Sequence, residues 1–184
     1  MREWQQRKFG ELYKIPSRNG LSKPSKVRGS GYKMINMGEL FSNDRIYNIK
    51  MELVPLAETE KEKAKIEKDD LLFARQSLVA SGAGKCSIVM ETDGLTVFES
   101  HLIRVRLNSI IADPMFYYYY FRSVNSPIKT IIQHSVQAGI KASDLEKLLV
   151  MVPPIEIQTK IAEILSKIDD MIEENNRINK NLAA

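Results

Sequence analysis

The chain has 184 residues, 43% of them apolar and 27% charged, with a net charge of +4 and a single cysteine. That is a globular composition with room for one core and an appendage, and no run approaches the ~20 apolar residues a membrane helix needs. Cys86 alone excludes an internal disulfide and a cysteine-rich zinc site, and no apolar signal core follows Met1-Arg2-Glu3-Trp4; these features lead us to expect a soluble protein of a reducing cytoplasm, with no membrane partner.

Charge is unevenly spread. Residues 1–33 carry nine bases against Glu3 and Glu11, a local +7, whereas 34–70 sum to −3, 71–150 to +2 and 151–184 to −2. A basic front suits a polyanion, although a solvated charged face gives the same count.

In chain order, strands are expected at 32–37, 71–75, 86–90, 101–107 and 148–152. In the fourth, Ile103, Val105 and Leu107 alternate with Arg104 and Arg106, the period-two mark of a half-buried strand. Thr59-x-x-Glu62 and Ser143-x-x-Glu146 read as capping boxes, Asp113-Pro114 as the start of a helix over 115–123, and Ser126-Pro127 as the start of one over 128–133. Glycines mark three polar loops, at 18–31, 76–85 and 134–140. After Pro153-Pro154 there is no Pro or Gly, so a helix is expected over 155–182, roughly 42 Å long at about 1.5 Å per residue. Along it Ile161, Leu165, Ile168, Ile172, Asn175, Asn179 and Leu182 recur at alternating spacings of four and three, a heptad seam that needs a partner helix. A second stripe through Ile164, Met171 and Ile178 widens that face. The fold class is therefore α+β: a mixed α/β domain over 1–152 and a coiled-coil-type helical region over 153–184.

Enzyme signatures fail one by one. Gly82-Ala83-Gly84-Lys85 lacks the glycine and the Ser/Thr of a phosphate loop, with Val79 and Cys86 in their places, and reads as a glycine turn between strands. Asp113-Pro114-Met115-Phe116 resembles the tetrapeptide of amino-methyltransferases, but no Gly-rich cofactor loop accompanies it, and a capped helix start explains it better. No glutamate is followed two residues later by lysine, as a metal-dependent nuclease of that type requires. His101 shares the parity of its strand's apolar face and is expected in the core; neither it nor His134 has metal-ligand spacing. No Gly-x-Ser-x-Gly is present. No catalytic residue is assigned.

A family pattern does run through the chain. Trp4 with Phe9-Gly10-Glu11-Leu12, the segment from Gly31-Tyr32 to Glu39-Leu40, Lys68-Asp69-Asp70-Leu71-Leu72-Phe73-Ala74-Arg75, Ser100-His101-Leu102-Ile103-Arg104-Val105, residues 117–121 and Gly139-Ile140 carry it. The most specific stretch is Pro153-Pro154-Ile155-Glu156-Ile157-Gln158-Thr159-Lys160-Ile161-Ala162-Glu163-Ile164-Leu165, followed by Glu173-Glu174-Asn175-Asn176-Arg177-Ile178-Asn179. The chain resembles one half of a specificity subunit of a type I restriction–modification system: one target recognition domain and one helical region where such subunits carry two of each. The resemblance implies a non-catalytic module that reads double-stranded DNA. Its helix packs antiparallel on a counterpart and docks methyltransferase subunits, which hold S-adenosylmethionine and methylate adenine, while a further motor subunit translocates and cuts. No cofactor or metal is expected in this chain itself. A half-subunit could homodimerise through its helix and read an interrupted palindrome. Asp69 stands where the family has Gly; Asp tolerates a left-handed turn, so the turn is expected to survive.

The expected division of labour follows from side-chain chemistry. Lys23, Lys26, Arg28 and Lys33 suit phosphates, where point charges suffice. Arg75, Gln76, Gln133 and Gln137 suit base edges, with Ser77 and Ser135 as secondary donors. Two other classes stay open: an assembly protein with no sequence-selective DNA affinity, and a stand-alone methyltransferase fragment that would transfer methyl groups without partners.

Overall fold

The computed structural model describes residues 4–77, 82–133 and 138–182. The strands are β1 (Gln5–Lys8), β2 (Tyr13–Asn19), β3 (Tyr32–Ile35), β4 (Arg45–Ile46), β5 (Glu52–Val54), β6 (Leu71–Ala74), β7 (Gln76–Ser77), β8 (Cys86–Val89), β9 (Thr96–Phe98), β10 (Leu102–Leu107), β11 (Ala138–Gly139) and β12 (Leu149–Val152). The helices are α1 (Met37–Ser42), α2 (Glu58–Ala64), α3 (Pro114–Arg122), α4 (Ala142–Lys147) and α5 (Ile155–Leu182).

A five-stranded sheet in the order β2-β10-β6-β8-β4 forms the centre. Its strands pair antiparallel except β8 with β4. Both faces are covered, which explains the unbroken apolar run Leu71-Leu72-Phe73-Ala74. Leu71 and Phe73 enter one core with Phe9, Leu12, Ile103, Tyr117, Phe121 and Val150. Leu72 and Ala74 enter the other, with Met34, Ile35, Leu40, Val89 and Phe98. The smaller sheet β5-β3-β9 belongs to the second core. β1 pairs antiparallel with β12, so the front of the chain is stitched to the strand that leads into α5.

Several expectations are corrected by this double cover. β10 is not half-buried: Arg104 is only 5% exposed, because the segment after α2 lies over that face and its Lys65 carbonyl accepts from Arg104 Nη1 at 3.0 Å. His101 precedes the strand and is exposed, not a core histidine, with Nδ1 3.6 Å from Glu99 Oε2. The strand expected over 32–37 stops at Ile35, since Asn36 N donates to Glu39 Oε2 at 2.9 Å and opens α1. Near Thr59 the reciprocal contact is made two residues earlier, with Ala57 N donating to Glu60 Oε2 at 2.8 Å. Ser143 does not cap α4, which begins after Lys141. Residues 127–131 form a 3-10 helix where an α-helix was expected. By contrast α3 is capped as read, Asp113 Oδ1 accepting from Phe116 N at 3.0 Å, and Asp69 does adopt the left-handed conformation, with φ of 70°.

Candidate nucleic-acid interface and helical arm

The basic front of the chain is mostly engaged within the molecule. Lys23 Nζ sits 2.7 Å from Glu60 Oε2, a contact that holds the Glu60 carboxyl below the usual carboxylate range. Arg28 Nε donates to Lys23 O at 2.8 Å, its Nη1 donates to Asn36 Oδ1 at 2.9 Å, and it pairs with Glu52. Lys33 Nζ reaches Asn48 Oδ1 at 2.6 Å and Asp93 Oδ2 at 3.2 Å. Lys26, on the 3-10 turn Ser25–Val27, is the exposed member of the four and has no side-chain partner among the described residues.

The loops at one end of the central sheet do converge. Arg75 leaves β6 with its N–H donating to His101 O at 2.8 Å, while its carbonyl accepts from Ile140 N at 2.9 Å. The next two residues form β7, pairing antiparallel with β11 in the register Ser77↔Ala138 and Gln76↔Gly139. Gly139 also exchanges backbone bonds with Gln133 at 2.8 and 3.1 Å. A Cβ at Gly139 would lie 3.0 Å from Arg75 O, so the close crossing of these loops favours glycine. The result is a cleft of about 340 Å³ that gathers Arg75, Gln76 and Gln133. Gln133 Nε2 donates to Asp144 Oδ2 at 3.0 Å, and its amide oxygen has no partner among the described residues. Arg75 has no side-chain partner among the described residues. Ser135 and Gln137 lie outside those residues. Sequence reasoning missed two members of this cleft, Asn19 and Lys141. Asn19 lies inside the first flagged loop and Lys141 directly after the third, but the pairing that brings the loops together is a tertiary fact. Amide and guanidinium groups converging on one cleft are what base-edge readout requires.

Groups that suggested chemistry prove structural. Lys85 Nζ is held by Asp44 Oδ1 at 3.0 Å and Phe41 O at 2.8 Å, and burial pushes the Cys86 thiol up, away from the reactive thiolate. Among the described residues no His, Cys, Asp and Glu group is arranged to hold a metal ion, and no helix is long and apolar enough to cross a membrane.

The arm is attached by polar contacts at its start. Gln158 is fully buried: its Oε1 accepts from Asp113 N at 2.9 Å, and its Nε2 donates to Ile111 O at 3.1 Å and Pro153 O at 2.8 Å. Thr159 Oγ1 donates to Asp113 Oδ2 at 3.1 Å. Farther along, the Arg45 side chain, 4% exposed, projects from β4 to Asp170 Oδ1 at 2.6 Å, Asp169 Oδ2 at 3.2 Å and Ser166 O at 3.2 Å. Burial opposes that charge, but hydrogen bonds with Asp170, Tyr47 and Tyr119 outweigh it and hold the guanidinium firmly protonated. Of the seam, Ile161 packs against the domain's own core and Leu165 is half-buried. Ile168, Ile172, Asn175, Asn179 and Leu182 are exposed.

Comparison with known proteins agrees with this architecture. The "Type I restriction modification DNA specificity domain" family matches over residues 1–184. The chain is 26% identical over 172 residues to the type I restriction enzyme EcoKI specificity subunit of Escherichia coli (strain K12), covering 89% of this chain and 35% of that protein. Its fold is similar to a chain from a structure concerned with complex assembly and conformational transition of the type I R-M system (TM-score 0.70, 16% identity, 96% of this chain and 41% of that one). It is also similar to the type-I restriction-modification S subunit from M. genitalium (0.63, 17%, 94% and 40%) and to the HsdS subunit from Thermoanaerobacter tengcongensis (0.65, 15%, 96% and 40%). The chain thus spans between a third and a half of the length of these relatives.

Proposed function

From the premise that the chain belongs to the type I restriction-modification DNA specificity family, we propose that it is a DNA-reading module that brings partner adenine methyltransferase and restriction subunits to a target site. Residues 1–152 act as the recognition domain and 153–184 as the dimerising and docking arm. The observation that carries this reading is the cleft holding Arg75, Gln76 and Gln133, where bidentate and amide side chains face a common space. Lys26 supplies a sequence-independent phosphate contact; Lys23, Arg28 and Lys33 contribute only as their internal pairs exchange for phosphate. The exposed length of α5 pairs with a second copy, and the two-fold product reads an interrupted palindrome.

The test is reconstitution with a cognate modification subunit, followed by mapping of methylated adenines. Methylation confined to one interrupted palindrome is the expected result. In the same assembly Arg75→Ala should relax discrimination by roughly 1–3 kcal/mol, whereas Lys26→Ala weakens all duplexes about equally. An assembled complex indifferent to base order would overturn the reading in favour of a pure assembly role.

A further inference from the structure

A second cleft, of about 510 Å³, runs along the edge strand β2 and is lined by Arg18, Lys63, Lys65, Arg104 and Arg106. Two carboxylates, Glu62 and Glu67, share the lining, so five bases face two acids. Glu67 is drawn to Arg106 Nη1 at 2.7 Å, and Arg106 also grips the buried Asp70 through Nε–Oδ1 at 2.7 Å and Nη2–Oδ2 at 2.8 Å. That set closes on itself.

Arg18 and Arg104 are left facing each other across β2 and β10, as register partners. Neither has a carboxylate partner among the described residues: Arg18 Nη1 donates to Lys63 O at 3.2 Å, Arg104 Nη1 donates to Lys65 O at 3.0 Å, and Arg104 Nε is buried with no partner. Burial lowers the basicity of Arg104; Asp70 opposes this, and Arg106 and Arg18 lower it further. A buried cation beside like charges calls for an anion in the adjoining space.

Position names the anion. Arg18 directly precedes Asn19, which lines the cleft of Arg75 and Gln76, so the edge strand β2 borders both clefts. From Ile15 to Arg18 the strand covers about 10 Å at about 3.3 Å per residue, while each strand of a duplex presents a phosphate about every 3.4 Å of axis. We propose that this cleft seats the phosphate backbone of duplex DNA flanking the bases read at the sheet end, with Arg18 and Lys63 as contacting cations and Arg104 adding positive charge from behind them. The proposal rests on the reading above that the chain binds duplex DNA, and it adds a site built around Arg18 to the phosphate contacts expected at Lys23, Lys26, Arg28 and Lys33.

The test uses the full chain, a labelled duplex of arbitrary sequence and inorganic phosphate. Arg18 and Lys63 are exposed, so Arg18→Ala and Lys63→Ala should leave the melting temperature in phosphate-free buffer unchanged. Each should reduce the slope of log K against log salt by about 0.9, and the double variant by about 1.8. Lys8→Ala, an equal charge change outside the cleft, should leave the slope intact. Phosphate should raise the melting temperature of the wild type and not of the double variant. A lost phosphate response with an unchanged DNA slope would make this a free-anion site and overturn the backbone assignment alone. So would equal slope changes in Lys8→Ala, which would reduce the effect to bulk charge. A wild type with no duplex affinity even at low salt would overturn the functional reading itself, and this site with it.

Discussion

The two halves of α5 are one continuous helix but different kinds of object. The first half is bound into the domain: Gln158 is fully buried, Ala162 is 4% exposed, and Arg45 reaches across to Ser166 O and, just past the midpoint, to Asp169 and Asp170. The second half has Ile172 at 52% and Leu182 at 81% exposure, with Met171 and Ile178 beside them. The first half shows how an arm is aimed: polar groups with fixed directions set its angle, where apolar packing alone would let it slide. The second half leaves an apolar stripe in water, the surface that the proposal above assigns to a partner helix.

The largest effect should come from Gln158. Gln158→Leu keeps the volume but strands Asp113 N, Ile111 O and Pro153 O in a buried site. At about 1 kcal/mol or more per unpaired group this is a loss of about 3 kcal/mol, or about 9 °C in melting temperature. Calorimetry showing under a third of that would mean the first half is held by packing, and the contrast between the halves would collapse. Arg45→Met comes next. It preserves the aliphatic stem and frees three carboxylates that can hydrate, since Asp170 and Glu173 are more than half exposed. The cost should be about 1–2 kcal/mol, below the penalty for a fully buried pair. Hydrogen exchange should quicken over residues 166–173 and not over 155–162. Uniform quickening would show that the helix is one cooperative unit.

How much of this was legible in the sequence differs between the halves. The extent of α5, its heptad seam and its proline start follow from periodicity, because a helix repeats its environment every few residues. Gln158 carried no such signal; a glutamine at that position is ordinary until Asp113 and Ile111, about 45 residues away, are brought against it. Arg45 was equally silent, since the two-residue strand that presents it leaves no periodicity to detect. The same holds for the candidate interface. Glycines located the loops and their polar side chains suggested the chemistry, but the pairing of β7 with β11, which selects Arg75, Gln76 and Gln133 over other polar residues, is long-range. Composition sums charges without their partners: Lys23, Arg28 and Lys33 count as a basic front in sequence and sit in ion pairs in space. The resemblance to a known family supplied what these local signals could not, the joint meaning of a basic domain and a helix with an unfilled face.

The exposed stripe is sharpened by Ile168→Asp, at the midpoint of α5. Ile168 is 43% exposed, so the isolated chain should lose less than about 1 kcal/mol. Yet a buried aspartate in a helix–helix seam would be unpaired, and the variant should sediment as a monomer or fail to join the modification subunit. A variant that sediments and assembles as the wild type does would place the partner surface elsewhere and leave the exposed stripe unexplained.

The smallest effect tests the platform beneath the anchored half. α5 rests on α3, and the end of α3 is tied down by Arg122 Nη1 to Asp44 Oδ1 at 2.7 Å, with Lys85 at 3.0 Å from the same oxygen. Burial would raise the Asp44 carboxyl, but the hydrogen bonds from Arg122 and Lys85 outweigh it and hold it below the usual range. A carboxylate depressed in the folded state stabilises above its unfolded value, near 4, and loses that contribution as pH falls through the folded value. Asp44→Asn should therefore melt slightly below the wild type at pH 7, and the gap should narrow steadily as the pH drops below about 4. A gap independent of pH would mean that Asp44 acts through shape and not charge.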